Sequence, residues 1–247
     1  MIPEMLADGS NNSNKHLGER SSIIGEMDVF ASISQSTADD LVKYYPDSQG
    51  RITITHLAAE LPASKHHELL PDVPYFLIVG NRGGYKNGDL ALRAFSKIAK
   101  EHKKLLLVYF GGESISAEEY EFLEKEKLKD RVFRIRGEDA LLSSAYEKAK
   151  ALLYPSNYEG FGLPLLEAFQ KGCPVITCEN SSLPEVGGDA AIYVDPDDAD
   201  VLAMEMENLL NATADDRAKL VGKGKAQELK FTWASTAQST LSLYKIQ

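Results

Sequence analysis

The chain has 247 residues, 43% hydrophobic and 26% charged, an ordinary globular composition long enough for one domain and part of a second. A formal net charge of −10 argues against nucleic acid as a partner and against a polybasic membrane patch. No apolar run approaches the length of a transmembrane segment, and the opening Met1 to Asp8 has neither the basic nor the apolar stretch of a signal peptide, so a cytoplasmic chain is expected.

Residues 1–25 begin as a polar loop and lead into a short helix near Glu26. Val29–Ser34 reads as a strand, and Ser36 is expected to cap a helix through Tyr45, with Asp39 and Asp40 near its N-terminus. Ile52–Thr55 is a second strand. Leu57–Pro74, with Pro62, Pro71 and adjacent His66 and His67, reads as a linker and a domain boundary. A regular alternation follows: strands at Tyr75–Val79, Leu105–Phe110, Val132–Ile135, Ala151–Tyr154, Val175–Thr177 and Ala191–Val194. Helices are expected over Asp89–Glu101, Ala117–Leu128, Leu141–Lys150, Leu163–Lys171 and Ala199–Leu210. Two more helices, Ala214–Leu229 and Trp233–Tyr244, close the chain. Continuous apolar strands alternating with helices predict an α/β fold, a Rossmann-like doubly wound parallel sheet, in which ligands bind beyond the carboxyl ends of the strands. Cys173 and Cys178 flank a short apolar run, with no His or Cys at ligand spacing, and are expected to be buried free thiols rather than a disulfide or metal ligands.

The candidate chemistry sits at strand ends. After the first strand of the regular part comes a glycine-rich stretch from Gly80 to Asp89 that carries Arg82 and Lys86, ahead of a helix whose N-terminus favours an anion. Its spacing fits neither the Gly-x-Gly-x-x-Gly fingerprint nor a P-loop, and a surface turn with two solvated cations accounts for it equally well. After the fourth strand, Glu159 and Glu167 flank Gly160, Phe161 and Gly162, with Leu163 and Pro164 opening a helix. Two such carboxylates could grip hydroxyl pairs, but spacing alone favours a solvated loop charge and a helix-dipole partner. Ser182 and Glu185 read as a helix cap and its capping-box partner.

In this order and at these strand ends the motifs strongly resemble the donor-binding half of family-4 (group 1) glycosyltransferases of the GT-B fold. The matching stretches are Val-Gly-Asn-Arg-Gly-Gly-Tyr-Lys-Asn (79–87), Tyr-Pro-Ser-Asn-Tyr-Glu-Gly-Phe-Gly-Leu-Pro-Leu-Leu-Glu-Ala (154–168), Gly-Cys-Pro-Val-Ile (172–176) and Ser-Ser-Leu-Pro-Glu-Val-Gly-Gly-Asp-Ala-Ala (181–191). The resemblance covers nearly the whole chain. It implies retaining transfer of a sugar from a nucleotide-diphosphate sugar to a glycan or lipid-linked acceptor, with no metal or other cofactor. It assigns Arg82 and Lys86 to the donor diphosphate and Glu167 to the ribose. Glu159, with the backbone of Gly160, Phe161, Gly162 and Leu163, goes to the sugar and phosphate, Gly80 to the loop beneath them, and Gly137 and Glu138 to the base. The Tyr-Lys-Asn and Met-Ile-Pro-Glu stretches resemble mannosyltransferases of surface-polysaccharide assembly, hence GDP-mannose as the expected donor, with UDP-sugars open as well, and a membrane-peripheral site of action.

By the same resemblance residues 1–72 are a remnant of the acceptor-side domain with its linker, residues 73–230 the nucleotide-sugar domain, and residues 231–247 a helix crossing back. The opening Met1 to Glu4 resembles a family stretch preceded by a functional His, which would then lie outside the chain, along with most acceptor contacts. A missing N-terminal half or partner subunit, and weak or absent activity of this polypeptide alone, are therefore expected. The alternatives are a non-catalytic nucleotide-sugar-binding module, a Rossmann oxidoreductase, disfavoured by the absent dinucleotide fingerprint, and a sugar-phosphate epimerase, which no motif supports.

Overall fold

The computed structural model describes residues 23–244; the polar loop expected before them and residues 245–247 lie outside the described part. Two parallel strands, β1 (Phe30–Ser32) and β2 (Ile52–Ile54), flank helix α1 (Gln35–Tyr44) and form a small sheet of their own. Ser34, rather than the expected Ser36, caps α1: its Oγ accepts the Thr37 amide at 3.0 Å. The chain from Leu57 to Pro74 carries only one short 3₁₀ turn, yet it is not a free linker. Ser143 Oγ donates to the Pro62 carbonyl at 2.8 Å, and the Leu61 amide donates to Gln170 Oε1, also at 2.8 Å.

The second sheet holds β3 (Tyr75–Val79), β4 (Leu106–Phe110), β5 (Val132–Ile135), β6 (Leu152–Tyr154), β7 (Val175–Cys178) and β8 (Ala191–Val194). All its pairings are parallel, in the order β5-β4-β3-β6-β7-β8. The connecting helices are α2 (Gly88–Ile98), α3 (Ala117–Lys125), α4 (Asp139–Lys148), α5 (Leu163–Gln170), α6 (Leu183–Gly187) and α7 (Ala199–Asn211). Helices α8 (Ala214–Glu228) and α9 (Trp233–Leu243) follow.

The continuous apolar strands have a direct cause. Successive side chains point to opposite faces of a strand, and here both faces are covered. Along β3, Tyr75 and Leu77 enter one core with Leu165 and Phe169 of α5; Phe76 and Ile78 enter the other with Phe95 of α2 and Met206 of α7. Cys173 and Cys178 are free, buried, and divided between these two cores. Chain order reverses between β3 and β6, so the crevice past their carboxyl ends is the position where this sheet class takes its ligand.

Candidate functional site

The site begins where β3 ends. Gly80 has φ +85°, and the neighbouring loop approaches so closely that a Cβ on Gly112 would stand 2.1 Å from the Gly80 carbonyl oxygen. The chain then makes a 3₁₀ turn over Gly84–Lys86 that sends Lys86 toward β6. Lys86 Nζ donates to Glu159 Oε1 at 2.7 Å and to the Tyr154 hydroxyl at 3.1 Å. Glu159 is 6% exposed. Burial, and then the neighbouring Glu159 carboxylate, push the Tyr154 phenol well above its ordinary range, so it stays a neutral partner. The Asn157 amide donates to the Tyr85 carbonyl at 2.7 Å, which ties the two strand-end loops together across the crevice.

Gly162 ends the second loop at φ +105°, a left-handed conformation that only glycine adopts without strain, and caps α5. Pro164 follows in the first turn, where a missing N–H costs nothing. Glu167 lies one turn in, and its Oε2 accepts the Tyr146 hydroxyl at 2.8 Å. Tyr146, on α4, is fully buried. Burial raises the Glu167 carboxyl above its ordinary range; the Tyr146 hydrogen bond opposes that rise without cancelling it.

Lys86 and Glu159 are thus brought together, and Gly160, Phe161, Gly162 and Leu163 run directly from them into the helix that carries Glu167. Arg82 is not part of this group. Its guanidinium forms a two-pronged bridge to Glu119 of α3, at 2.8 and 2.9 Å, and donates to the Glu113 and Ser114 carbonyls at 3.1 Å each. It also lies over the Tyr109 ring at 4.1 Å. Burial pushes the Glu119 carboxyl up, but the Arg82 bridge and the Ser116 amide outweigh it and hold the carboxyl below its usual range. Both side chains are well covered, 5% and 11% exposed. In this structure Arg82 joins the loop after β3 to α3. Gly137 and Glu138 lie exposed between β5 and α4.

Sequence reasoning missed the hydroxyls around the second loop. Ser182 stands at the N-cap of α6, but its side chain makes no cap hydrogen bond; its Oγ lies 2.9 Å from the carbonyl oxygens of both Glu159 and Phe161. Ser181 Oγ accepts the Glu159 amide at 2.8 Å. Ser34 and Thr37, from the N-terminus of α1, reach the Gly160 carbonyl at 2.7 and 3.0 Å. Glu185 closes no capping box. It accepts the Gln35 amide at 2.9 Å and lies 2.6 Å from His56 Nε2. His56 packs edge-on against Phe231, and its ring lies 6.1 Å from that of Phe161.

A doubly wound parallel sheet thus carries a Lys–Glu pair at its switch point and a second glutamate on the following helix. Residues 62–227 match the family model of group 1 glycosyl transferases, and the chain belongs to that family. The O-antigen chain mannosyltransferase B of Escherichia coli is 29% identical over 234 residues, covering 88% of this chain and 60% of that protein. The O-antigen chain mannosyltransferase RfbU of Salmonella typhimurium is 29% identical over 170 residues, 68% of this chain and 46% of the relative. Among solved structures, the sucrose-phosphate synthase of Thermosynechococcus elongatus superposes with a TM-score of 0.81 at 23% identity, over 99% of this chain and 65% of that one. S. aureus TarM superposes at 0.76 with 15% identity, over 95% of this chain and 46% of that one. The fold is that of the GT-B glycosyltransferases, and the chain spans about half to two thirds of the length of these proteins.

Proposed function

We propose that the chain provides the donor side of a retaining glycosyltransferase, which moves mannose from a nucleotide-diphosphate sugar, GDP-mannose, to a glycan or lipid-linked acceptor at the cytoplasmic face of a membrane. The observation that carries this reading is the Lys86–Glu159 pair, 2.7 Å apart at the reversal point of the sheet, next to an unbranched loop that opens a helix. Breaking the glycosyl–phosphate bond leaves negative charge on the departing diphosphate. A preorganised ammonium and a helix N-terminus meet that charge in a partly dry crevice, where such groups act far more strongly than in water. In the free protein Glu159 holds the Lys86 ammonium in place. When a diphosphate takes that ammonium, Glu159 is released to accept sugar hydroxyls. Glu167 accepts the ribose diol. Mannose as the sugar rests on the names of the relatives. Lys86 takes the part that a metal plays elsewhere, so added chelator should leave binding intact.

Titration calorimetry with GDP, UDP and the parent nucleosides tests this. The diphosphate should bind at least tenfold more tightly than its nucleoside, and Lys86→Ala should remove about tenfold to a hundredfold of that advantage, the worth of one charge-assisted hydrogen bond. Equal affinities for nucleotide and nucleoside in the parent protein would refute the reading.

A second reading, a binding module without turnover, is favoured by one observation. Among the described residues a two-stranded sheet, β1 and β2, stands beside the six-stranded one, and on this reading the small sheet with α1 is the acceptor side. An acceptor-side half supplied by further chain or by a partner subunit would reconcile the two. Diphosphate binding without release of free nucleotide from GDP-mannose would select the module; steady release, with or without acceptor, would select the enzyme.

A further inference from the structure

Three consecutive carbonyls in the second loop face hydroxyl groups. Ser182 Oγ lies 2.9 Å from the oxygens of Glu159 and Phe161. Between them, the Gly160 carbonyl receives both Ser34 Oγ at 2.7 Å and Thr37 Oγ1 at 3.0 Å, filling its two lone pairs. Ser34 and Ser182 are each 0% exposed, so neither hydroxyl has water as an alternative partner. A trans peptide is planar, and its C=O and following N–H point to opposite sides. Holding the Gly160 carbonyl therefore aims the Phe161 amide the other way, and the Ser182 proton, shared between the Glu159 and Phe161 carbonyls, steadies the amides of Gly160 and Gly162 on either side. Among the described residues those three amides have no hydrogen-bond partner.

The middle clamp comes from outside the six-stranded sheet. Ser34 and Thr37 belong to the first turn of α1, more than 120 residues away in sequence, with separations of 126 and 123. They are also anchored. Glu185, at the start of α6, takes the Gln35 amide with both oxygens at 2.9 Å and holds His56 just past β2. Thr236 of α9 donates to the His56 carbonyl at 2.5 Å. The small sheet is thereby pinned against the loop from three sides.

We infer that Ser34 and Thr37 are positioning residues for diphosphate: acting through the Gly160 carbonyl, they orient the Phe161 amide toward the anion that Lys86 neutralises. The segment before the linker is then part of the donor site, not a relic beside it. The inference rests on the donor reading above, and it adds a residue class that the reading does not need.

The variants are Thr37→Val, which keeps the shape of the side chain, and Ser34→Gly, since glycine at a helix cap costs only a few tenths of a kcal/mol relative to serine. Both are titrated with GDP and guanosine, or with UDP and uridine if those bind the parent protein better. Each variant should weaken diphosphate binding about threefold to tenfold, the value of one neutral hydrogen bond, and leave nucleoside binding unchanged. Thr37→Ser should restore the parent value. A general loosening of the fold would instead weaken nucleotide and nucleoside together and would not be rescued by serine; that result overturns the inference. So does diphosphate binding by both variants at parent strength. If the parent protein binds no diphosphate, the donor reading itself fails and this inference falls with it. If it binds and the variants are unaffected, only the inference fails.

Discussion

Glu167 shows how a buried carboxyl burdens the structure that holds it. Its carboxyl is raised by burial, so in the folded chain ionisation is harder than in the unfolded one. For an acid raised in this direction, the favourable contribution is full at low pH and is lost as pH rises through the usual carboxylate range and beyond. Glu167→Gln removes that liability while keeping an acceptor for the Tyr146 hydroxyl. Its melting temperature should exceed the parent's by a few degrees at neutral pH, with the gap closing as the pH is lowered through the carboxylate range. Nucleoside affinity should fall, because an amide is a poorer acceptor for a diol. A gap that stays constant with pH would show that the charge of Glu167 is not the cause.

At the scale of elements, the six-stranded sheet was legible and the hydroxyl contacts around the second loop were not, for one reason. Strands such as β3, with Tyr75 to Ile78 all buried, write their environment into consecutive residues, and the helices do so at helical spacing. Boundaries moved by a residue or two where caps were misjudged, as with Ser34. Ser182 and Glu185 were read as a local capping pair because local spacing cannot reveal that Ser182 holds the Glu159 loop, and Glu185 the first turn of α1. Arg82 is the sharpest case. It sits in the same glycine-rich loop as Lys86, but its partner in this structure is Glu119, which also closes a capping box with Ser116 at the start of α3. Arg82→Ala would leave Glu119 covered and unpaired, which typically costs about 3 kcal/mol. Thermal or denaturant melting should show that loss, while diphosphate affinity, measured where the variant is still folded, should stay near the parent value. A variant that keeps its stability and loses diphosphate binding would return Arg82 to the place the resemblance gave it.

For the whole molecule, the division into two cores on either side of one sheet has a practical result. Cys173 lies in the core beneath α4 and α5, and Cys178 in the core beneath α2 and α7; burial pushes each thiol up to about 12. A thiol reagent at mildly alkaline pH should therefore find neither sulfur in the native chain, and modification should proceed only as fast as the structure opens. Each layer thus carries its own built-in stopwatch. Equal rates at the two positions would mean that the sheet sheds both layers in a single event. Earlier modification of Cys173 would mean that the layer bearing Glu167 peels away first. Immediate modification of either would contradict the burial described above. Since a bound donor would grip β3 and β6 together at the crevice, its presence should slow both clocks, giving a measure of occupancy that needs no turnover and no acceptor.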